Sequence, residues 1–348
     1  MRNINLNNYQ LPAEWCEHEA TWLSWLFNEE TWPSNILKEA FPQYLAFIKH
    51  LALDEKVRIN IQPNSFSKIK EILFLADVNL ANIELFGHST NDCWCRDYGP
   101  DFLISDIDQS KIVLDWKYNC WGEKYPPFDA DNAIPQRIAK VLGLDNIKID
   151  FVLEGGSYDA NGSGVLLTTE SCLLNRNRNP SLSKTEIEGY LEKYLKQNEI
   201  IWLPEGIVGD DTDGHVDDIA RFVSSNKIVV GDTHNKDENY SILKRNKVIL
   251  ENNYEGRFDV ISLPMPNKLI VDNVLVPASY CNFYIANKKV IVPIFDDPND
   301  QEALSILGQC FPDREIIGLE SNKIIYGLGS FHCLSKQEPK IPVRSDSN

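Results

Sequence analysis

The stretch Ile219–Asp232, "IARFVSSNKIVVGD", is an apolar run, a short polar turn and a second apolar run. Two such runs around a turn of Ser, Asn and Lys read as a β-hairpin. Behind it comes "ENYSILKRNKVILEN", whose apolar residues recur at the three- and four-residue spacing of a helix, and then "FDVISLPM", a short run suited to a buried strand. The same order recurs. Hairpins are expected in "DFLISDIDQSKIVLDWKY", "GSYDANGSGVLLTTE" and "YCNFYIANKKVIVPIF"; helices in "NAIPQRIAKVLG", "LSKTEIEGYLEKYLKQ" and "DQEALSILGQCF"; closing strands in "IKIDFVLE", "IIWLP" and "REIIGLE". Ser183 and Asp300 stand where helix N-caps are expected.

The N-terminus offers a fifth version: "HEATWLSWLF", the helical "NILKEAFPQYLAFIKHLAL" and the strand "VRINIQ", with a second short helix, "FSKIKEILFLAD", inserted after it. The period of about 50 to 65 residues falls in the range of repeat arrays and propellers. The expectation is a single α/β domain over residues 1–340, followed by a short polar tail, 341–348. If the units close into a ring, loops at one end of each meet near the axis, and residues far apart in sequence share a site.

Composition narrows the classes of function. In 348 residues, 43% hydrophobic and 24% charged, no apolar run approaches the roughly 20 residues of a membrane span. The opening residues lack the apolar core of a secretion signal, so the expected compartment is the cytoplasm. Eight cysteines are too few for a disulfide scaffold, and reduced thiols are expected. With 34 Lys and Arg against 51 Asp and Glu, the net charge of −17 would repel nucleic acid and anionic membranes. It would attract a cationic small molecule.

Five loop regions carry most of the glycines and ionisable residues outside the helices. "NDCWCRDYGP" packs Asp92, Trp94, Arg96 and Asp97 together, "LEGGS" puts Glu154 before two glycines, and "GDDTDGHVDD" sets His215 and Asp217 two residues apart behind an acidic run. "SYCNF" supplies Asn282 and "GSFHC" supplies Cys333. Taken singly, each has an ordinary reading. Cys333 reads as a small buried hydrophobe, Trp94 as core, Asp97 as half of an ion pair with Arg96, and Glu154 as a strand end needing permissive backbone. His215 and Asp217 are also metal-ligand types, though no third ligand sits at familiar spacing. "CWC", Cys93–Cys95, has no second pair to complete a zinc site. In an extended segment His215 and Asp217 face one side together, whereas His332 and Cys333, if they lie in a strand, face opposite sides. His332 is then badly placed to activate Cys333.

Through "LPAEWCEHEATWLSW", "NDCWCRDYGP", "WGEKYPP", "LEGGS", "GVLLTTESCLLNRNRNP", "DDTDGHVDDIARFV" and "GSFHCLSKQEP", the chain resembles the agmatine deiminases, within the guanidino-modifying superfamily that also contains peptidylarginine deiminases. The resemblance covers nearly the whole chain. It implies a fivefold pseudo-symmetric α/β propeller of ββαβ units, with the site on the axis, and a cytoplasmic enzyme of putrescine biosynthesis that hydrolyses agmatine to N-carbamoylputrescine and ammonia. By motif match, Cys333 is the nucleophile, His215 the general acid and base, Asp97 and Asp217 the guanidinium-binding carboxylates, and Glu154 a support beside His215. Trp94 forms a wall against the guanidinium, Asp211 meets the distal amine, and Asn282 joins the substrate-binding set. No metal and no organic cofactor is implied. A homo-oligomer is expected only because symmetric association is common.

The chain departs from the family pattern at Tyr158, Lys336 and Glu338; Lys336 and Glu338 are expected to alter the charge near the site and, with it, recognition of the substrate tail. Competing readings are deimination of another small guanidine or of peptidyl-arginine, amidino transfer to an amine, a metal hydrolase built on His215 and Asp217, and a propeller that merely binds cations.

Overall fold

The computed structural model describes residues 5–342 other than residues 235, 255 and 272. Of the expected tail, residues 343–348 lie outside the described residues. The hairpin that opened the sequence reading forms from Ala220–Ser224 and Lys227–Asp232, and the helix Tyr240–Asn253 returns the chain to Asp259–Pro264, which pairs in parallel with the second hairpin strand. Three further units repeat this ββαβ order. They begin with Asp101–Ser105, Tyr158–Ala160 and Tyr284–Ile285, and each adds its last strand parallel to its second. A parallel partner requires a crossover, and in each unit the helix supplies it.

The helices form where the apolar spacing predicts. Ser183 accepts a hydrogen bond from the Glu186 amide while the Glu186 carboxylate takes the Ser183 amide, a reciprocal cap that starts Lys184–Tyr190. Asp300 is not a cap. It is the first residue of Asp300–Cys310, and its carboxylate accepts the amides of Phe295 and Asp297 and the hydroxyl of Tyr280, tying the preceding loop to the helix start. The 18-residue helix Ser34–Leu51 buries Ile36, Ala40, Tyr44, Phe47, Ile48 and Leu51, one face at helical spacing. Among the described residues no helix is long and apolar enough to cross a membrane.

The fifth unit departs from the expectation. "HEATWLSWLF" is not a hairpin: it gives one strand, His18–Ser24, whose antiparallel partner is Ser335–Pro339 from the other end of the chain. Lys56–Asn60 and Ile83–Phe86 extend this sheet in parallel, with the inserted helix Phe66–Leu75 between them. The last strand thus completes the first unit, and the array closes on itself.

Each unit's first strand is preceded by one short helical turn: Cys95–Tyr98, Gly155–Ser157, Val216–Asp218, Tyr280–Asn282 and Phe331–Leu334. These five turns bring their side chains to a common centre, as the contacts below establish.

Lys336 and Glu338 belong to the closure and do not line the substrate pocket. Glu338 accepts from Arg58 Nη1 at 2.5 Å, Lys111 Nζ at 2.7 Å and Trp22 Nε1 at 2.9 Å, and Lys336 Nζ lies 2.6 Å from Asp101 Oδ1. All of these charged side chains are buried. Removing Glu338 leaves buried Lys111 without its paired carboxylate and Arg58 with Glu84, 2.8 Å from its Nε, at a cost of about 3–5 kcal/mol. Glu338→Ala is therefore expected to lower unfolding stability by that amount in a denaturant titration; a loss under about 1 kcal/mol would mean that Arg58 and Lys111 find other partners.

Candidate active site

A pocket of about 530 Å³ is lined by two of the five turns, through Asp97 and Cys333, and by Trp94, Trp121 and Asp211 among others. His215 and Asp217 lie outside that lining, buried behind Asp97, where a glycine leaves them room. A Cβ on Gly156 would lie 2.5 Å from His215 Nδ1, 2.9 Å from Asp97 Oδ1 and 3.1 Å from Asp217 Oδ2, so those three groups converge where a side chain would otherwise stand. Gly156 N donates to Asp97 Oδ1 at 2.9 Å, and Trp121 Nε1 donates to Asp97 Oδ2, also at 2.9 Å. Asp97 is thereby fixed by two donors. Arg96, its neighbour, does not pair with it; that guanidinium reaches Glu14 at 3.1 Å and Gln337 at 2.7 Å.

His332 and Cys333 do not lie in a strand. They occupy the helical turn Phe331–Leu334, directly ahead of the closing strand, and successive side chains of such a turn still diverge. Cys333 Sγ faces the pocket, 3.8 Å from Asp217 Oδ2, while His332 points behind Asp217, with Nδ1 2.6 Å from its Oδ2. Asn282 lies against the thiol: its Nδ2 donates to Cys333 Sγ at 3.1 Å and to Asp218 Oδ1 at 2.9 Å, and its Oδ1 accepts from Cys333 N at 3.3 Å. The Asn282 side chain holds the cysteine instead of lining the pocket.

Glu154 and His215 are both buried, and their ligand-type atoms lie within 4.8 Å of each other and of Cys172 Sγ. A metal-binding donor set therefore exists around His215, with Cys172 and Glu154 and without Asp217. However, Arg178 Nε already donates to Glu154 Oε1 at 2.6 Å, so a fixed cation neutralises the carboxylate that a metal would need. Among the described residues, neither ring nitrogen of His215, nor Asp217 Oδ1, nor Glu154 Oε2 has a hydrogen-bond partner, although all are buried. Buried polar atoms are nearly always satisfied, and unpaired ones mark where a ligand or reacting group is accommodated.

Burial raises Asp97, and burial together with the nearby Asp97 raises Asp217 well above the carboxylate range. The Cys333 thiol is pushed well above its ordinary value by burial and then by Asp217, Asp218 and Asp97. Burial lowers His215 and keeps its ring neutral. A planar cation between Asp97 and Asp217 would reverse the field at the thiol and favour the thiolate, the reactive form.

Trp94 is buried against Trp32, ring centres 5.2 Å apart, and presents its edge to Gly327 and Gly329, where any Cβ would collide with it. Trp121 reaches the pocket from a turn in which Cys120, Trp121, Gly122 and Glu123 all have positive φ, at 52°, 56°, 90° and 63°. The three non-glycine residues among them, Cys120, Trp121 and Glu123, cost roughly 1–2 kcal/mol each in that region. Asn119 compensates in part, accepting the Gly122 amide at 3.0 Å. At the mouth, Asp211 is shared: Tyr125 Oη donates to its carboxylate, and Lys124 Nζ contacts its carbonyl and lies 3.4 Å from its Oδ1. Tyr158 lies outside the pocket lining, with Lys336 over its ring.

Sequence reasoning missed Glu14, Trp121, Lys124, Arg178 and Asp218. Each lies in a stretch that carries the resemblance, Glu14 in "LPAEWCEHEATWLSW", Trp121 and Lys124 in "WGEKYPP", Arg178 in "GVLLTTESCLLNRNRNP" and Asp218 in "DDTDGHVDDIARFV", but the residue types alone gave none of them a role.

Two expectations follow. Alkylation of Cys333 by iodoacetamide, followed by mass spectrometry, should accelerate about tenfold per pH unit through neutrality, because the raised thiol pKa leaves the thiolate a minor species there; a plateau near pH 7 would contradict this. Gly156→Ala should fold yet lose nearly all activity, since its methyl occupies the space between Asp97, Asp217 and His215.

A family model described as Porphyromonas-type peptidyl-arginine deiminase matches residues 10–339. The agmatine deiminase of Ectopseudomonas mendocina is 34% identical over 96% of each chain. Among solved structures, the substrate-bound C. jejuni agmatine deiminase, a cysteine-to-serine variant, superposes with a TM-score of 0.87 at 34% identity, covering 97% of this chain and 99% of that one. An Enterococcus faecalis agmatine deiminase gives 0.86 at 31%, covering 97% of each. With that match over nearly its full length, the chain belongs to the Porphyromonas-type peptidyl-arginine deiminase family.

Proposed function

We propose that this protein is an agmatine deiminase, a hydrolase of C–N bonds that converts agmatine and water to N-carbamoylputrescine and ammonia. The observation that carries the reading is the convergence of Asp97, Asp217 and His215 on Gly156, with the Cys333 thiol 3.8 Å from Asp217. Paired carboxylates suit the forked donors of a guanidinium, and the Trp94 and Trp121 walls suit its flat faces. A polar cluster this deep is costly without a cation to bind.

In the reaction, Asp97 and Asp217 hold the guanidinium against Cys333, whose thiol ionises as the cation arrives. His215, neutral beforehand, takes up the thiol proton. Attack forms a C–S bond at the guanidinium carbon, and His215 gives the proton to the departing nitrogen, which leaves as ammonia. His215 next removes a proton from water; the resulting hydroxide adds to the amidino carbon, the C–S bond breaks, and the ureido product leaves. Glu154, itself held by Arg178, supports the imidazole in its charged intervals. Asp211 at the mouth stands for the distal amine, and its sharing with Lys124 and Tyr125 tunes that contact. Lys336 and Glu338 are paired within the ring closure and lie outside the pocket lining, although the Lys336 charge still favours ionised Asp97.

Incubation with agmatine, assaying ammonia and ureido product, tests the reading. Cys333→Ala should bind without turnover, and His215→Ala should lose about 10²- to 10⁴-fold and accumulate a covalent adduct on Cys333 visible by mass spectrometry. Consumption of arginine, peptidyl-arginine or another guanidine in preference to agmatine would replace the substrate assignment. Guanidine exchange between amines without ammonia would replace hydrolysis by transfer.

A further inference from the structure

One buried titratable group beside the nucleophile has no part in the chemistry above. The His332 ring lies between two carboxylates, Nδ1 2.6 Å from Asp217 Oδ2 and Nε2 2.8 Å from Glu14 Oε2, and all three residues are buried. Glu14 is anchored on its far side. Arg96 Nη2 donates to Oε2, while Arg221 Nη2 and the Ile285 amide donate to Oε1, at 3.1, 3.1 and 2.9 Å. Although burial works to raise its pKa, Arg221, His332 and Arg96 outweigh burial and hold Glu14 well below the carboxylate range.

An ionised carboxylate only accepts hydrogen bonds, so Nε2 of His332 must carry a hydrogen for Glu14. The contact between Nδ1 and Asp217 also needs one proton, and two sites compete for it. A neutral ring accepts from protonated Asp217; an imidazolium donates to ionised Asp217. We propose that His332 is a positioning residue that stores the proton of Asp217: when a guanidinium seats against Asp217, the Oδ2–H bond breaks, Nδ1–H forms, and the pair becomes carboxylate and imidazolium, steadied by Glu14. No proton enters or leaves the protein in this step. The inference rests on Asp217 receiving the guanidinium, as in the proposed function.

The surroundings make both states accessible. Asp97 and Asp210 oppose the ionisation of Asp217, Arg96 and Arg221 favour it, and Asp217 and Asp218 repel each other when charged; the uncharged Cys333 thiol and His215 ring lie alongside. Behind the ring, Arg221 is matched by Glu14 and by Asp159, whose Oδ1 accepts from Arg221 Nε at 3.0 Å. Burial, then Arg221 and Arg96, favours the neutral ring before substrate arrives. Without a place to store the proton, it would have to go to solvent, weakening binding about tenfold for each pH unit by which the acid's pKa exceeds the ambient pH.

The test is a count of protons. Agmatine is titrated into the Cys333→Ala protein, which removes the thiol's own ionisation, by calorimetry near neutral pH in buffers of different ionisation enthalpy. Cys333→Ala alone should exchange close to no protons. Adding His332→Gln, which keeps a hydrogen-bonding side chain but cannot hold a proton, should release about one proton per agmatine, with affinity falling about tenfold per unit drop in pH. Should His332→Gln fail to fold by circular dichroism, Glu14→Gln in the same background should give the same extra release. Equal proton counts with and without either substitution, in proteins that bind, would overturn the inference while leaving the proposed function intact. Failure of Cys333→Ala to bind agmatine at all would withdraw the functional reading and this inference with it.

Discussion

The pairing of Ser335–Pro339 with His18–Ser24 is the contact on which everything else in the molecule depends. It completes the first unit with the last strand, and the turn that precedes this strand carries Cys333. The nucleophile position is therefore defined only once both ends of the chain have met. Buried charge enforces the register: Glu338 draws Arg58 from Lys56–Asn60, across the intervening strand His18–Ser24, and Lys111 from the next unit, while Lys336 reaches Asp101. Misregistered by one residue, the strand would turn these charges to the wrong face. Closure and placement of the thiol are one event.

A second constraint is electrostatic. Asp97, Asp217 and Asp218 are gathered, buried, beside a thiol, and burial raises all three, Asp217 and Asp218 well above the ordinary carboxylate value. The fold balances this acidity with guanidinium groups set one layer back: Arg96 and Arg221 on Glu14, Arg178 on Glu154. None of those arginines lines the pocket. The cationic layer is consumed by its own partners, so Asp97 at the pocket and Asp217 behind it keep their appetite for an external cation. The left-handed turn that presents Trp121 adds strain at the same place, in keeping with the tendency of strained backbone to collect at functional sites.

Much of the architecture could be read from local pattern. Four hairpins, their helices and closing strands appear where apolar period and turn residues indicated, because each signal spans only a few residues and is settled by nearest neighbours. The exceptions are tertiary. "HEATWLSWLF" looked like half a hairpin because its partner lies more than 300 residues away, and no local pattern records such a pairing. Asp300 looked like a cap because a carboxylate beside a helix start satisfies amides, which it does, one residue further in and for the preceding loop.

The sequence by itself determined the repeating unit, the loops that carry the chemical groups, the chain's acidity and, through several long motifs in order, the family. Only the tertiary structure decided which groups face one another. His332 and Cys333 are neighbours in sequence, yet one backs Asp217 and the other fronts the pocket; Asn282 supports the thiol; Lys336 and Glu338 belong to the closure. Glu14, with no motif chemistry of its own, is the anchor of His332 across 318 residues. The physical reason is that local structure follows from short-range sterics and hydrogen bonding, whereas a buried charge takes its meaning from the partners that the closed ring brings to it.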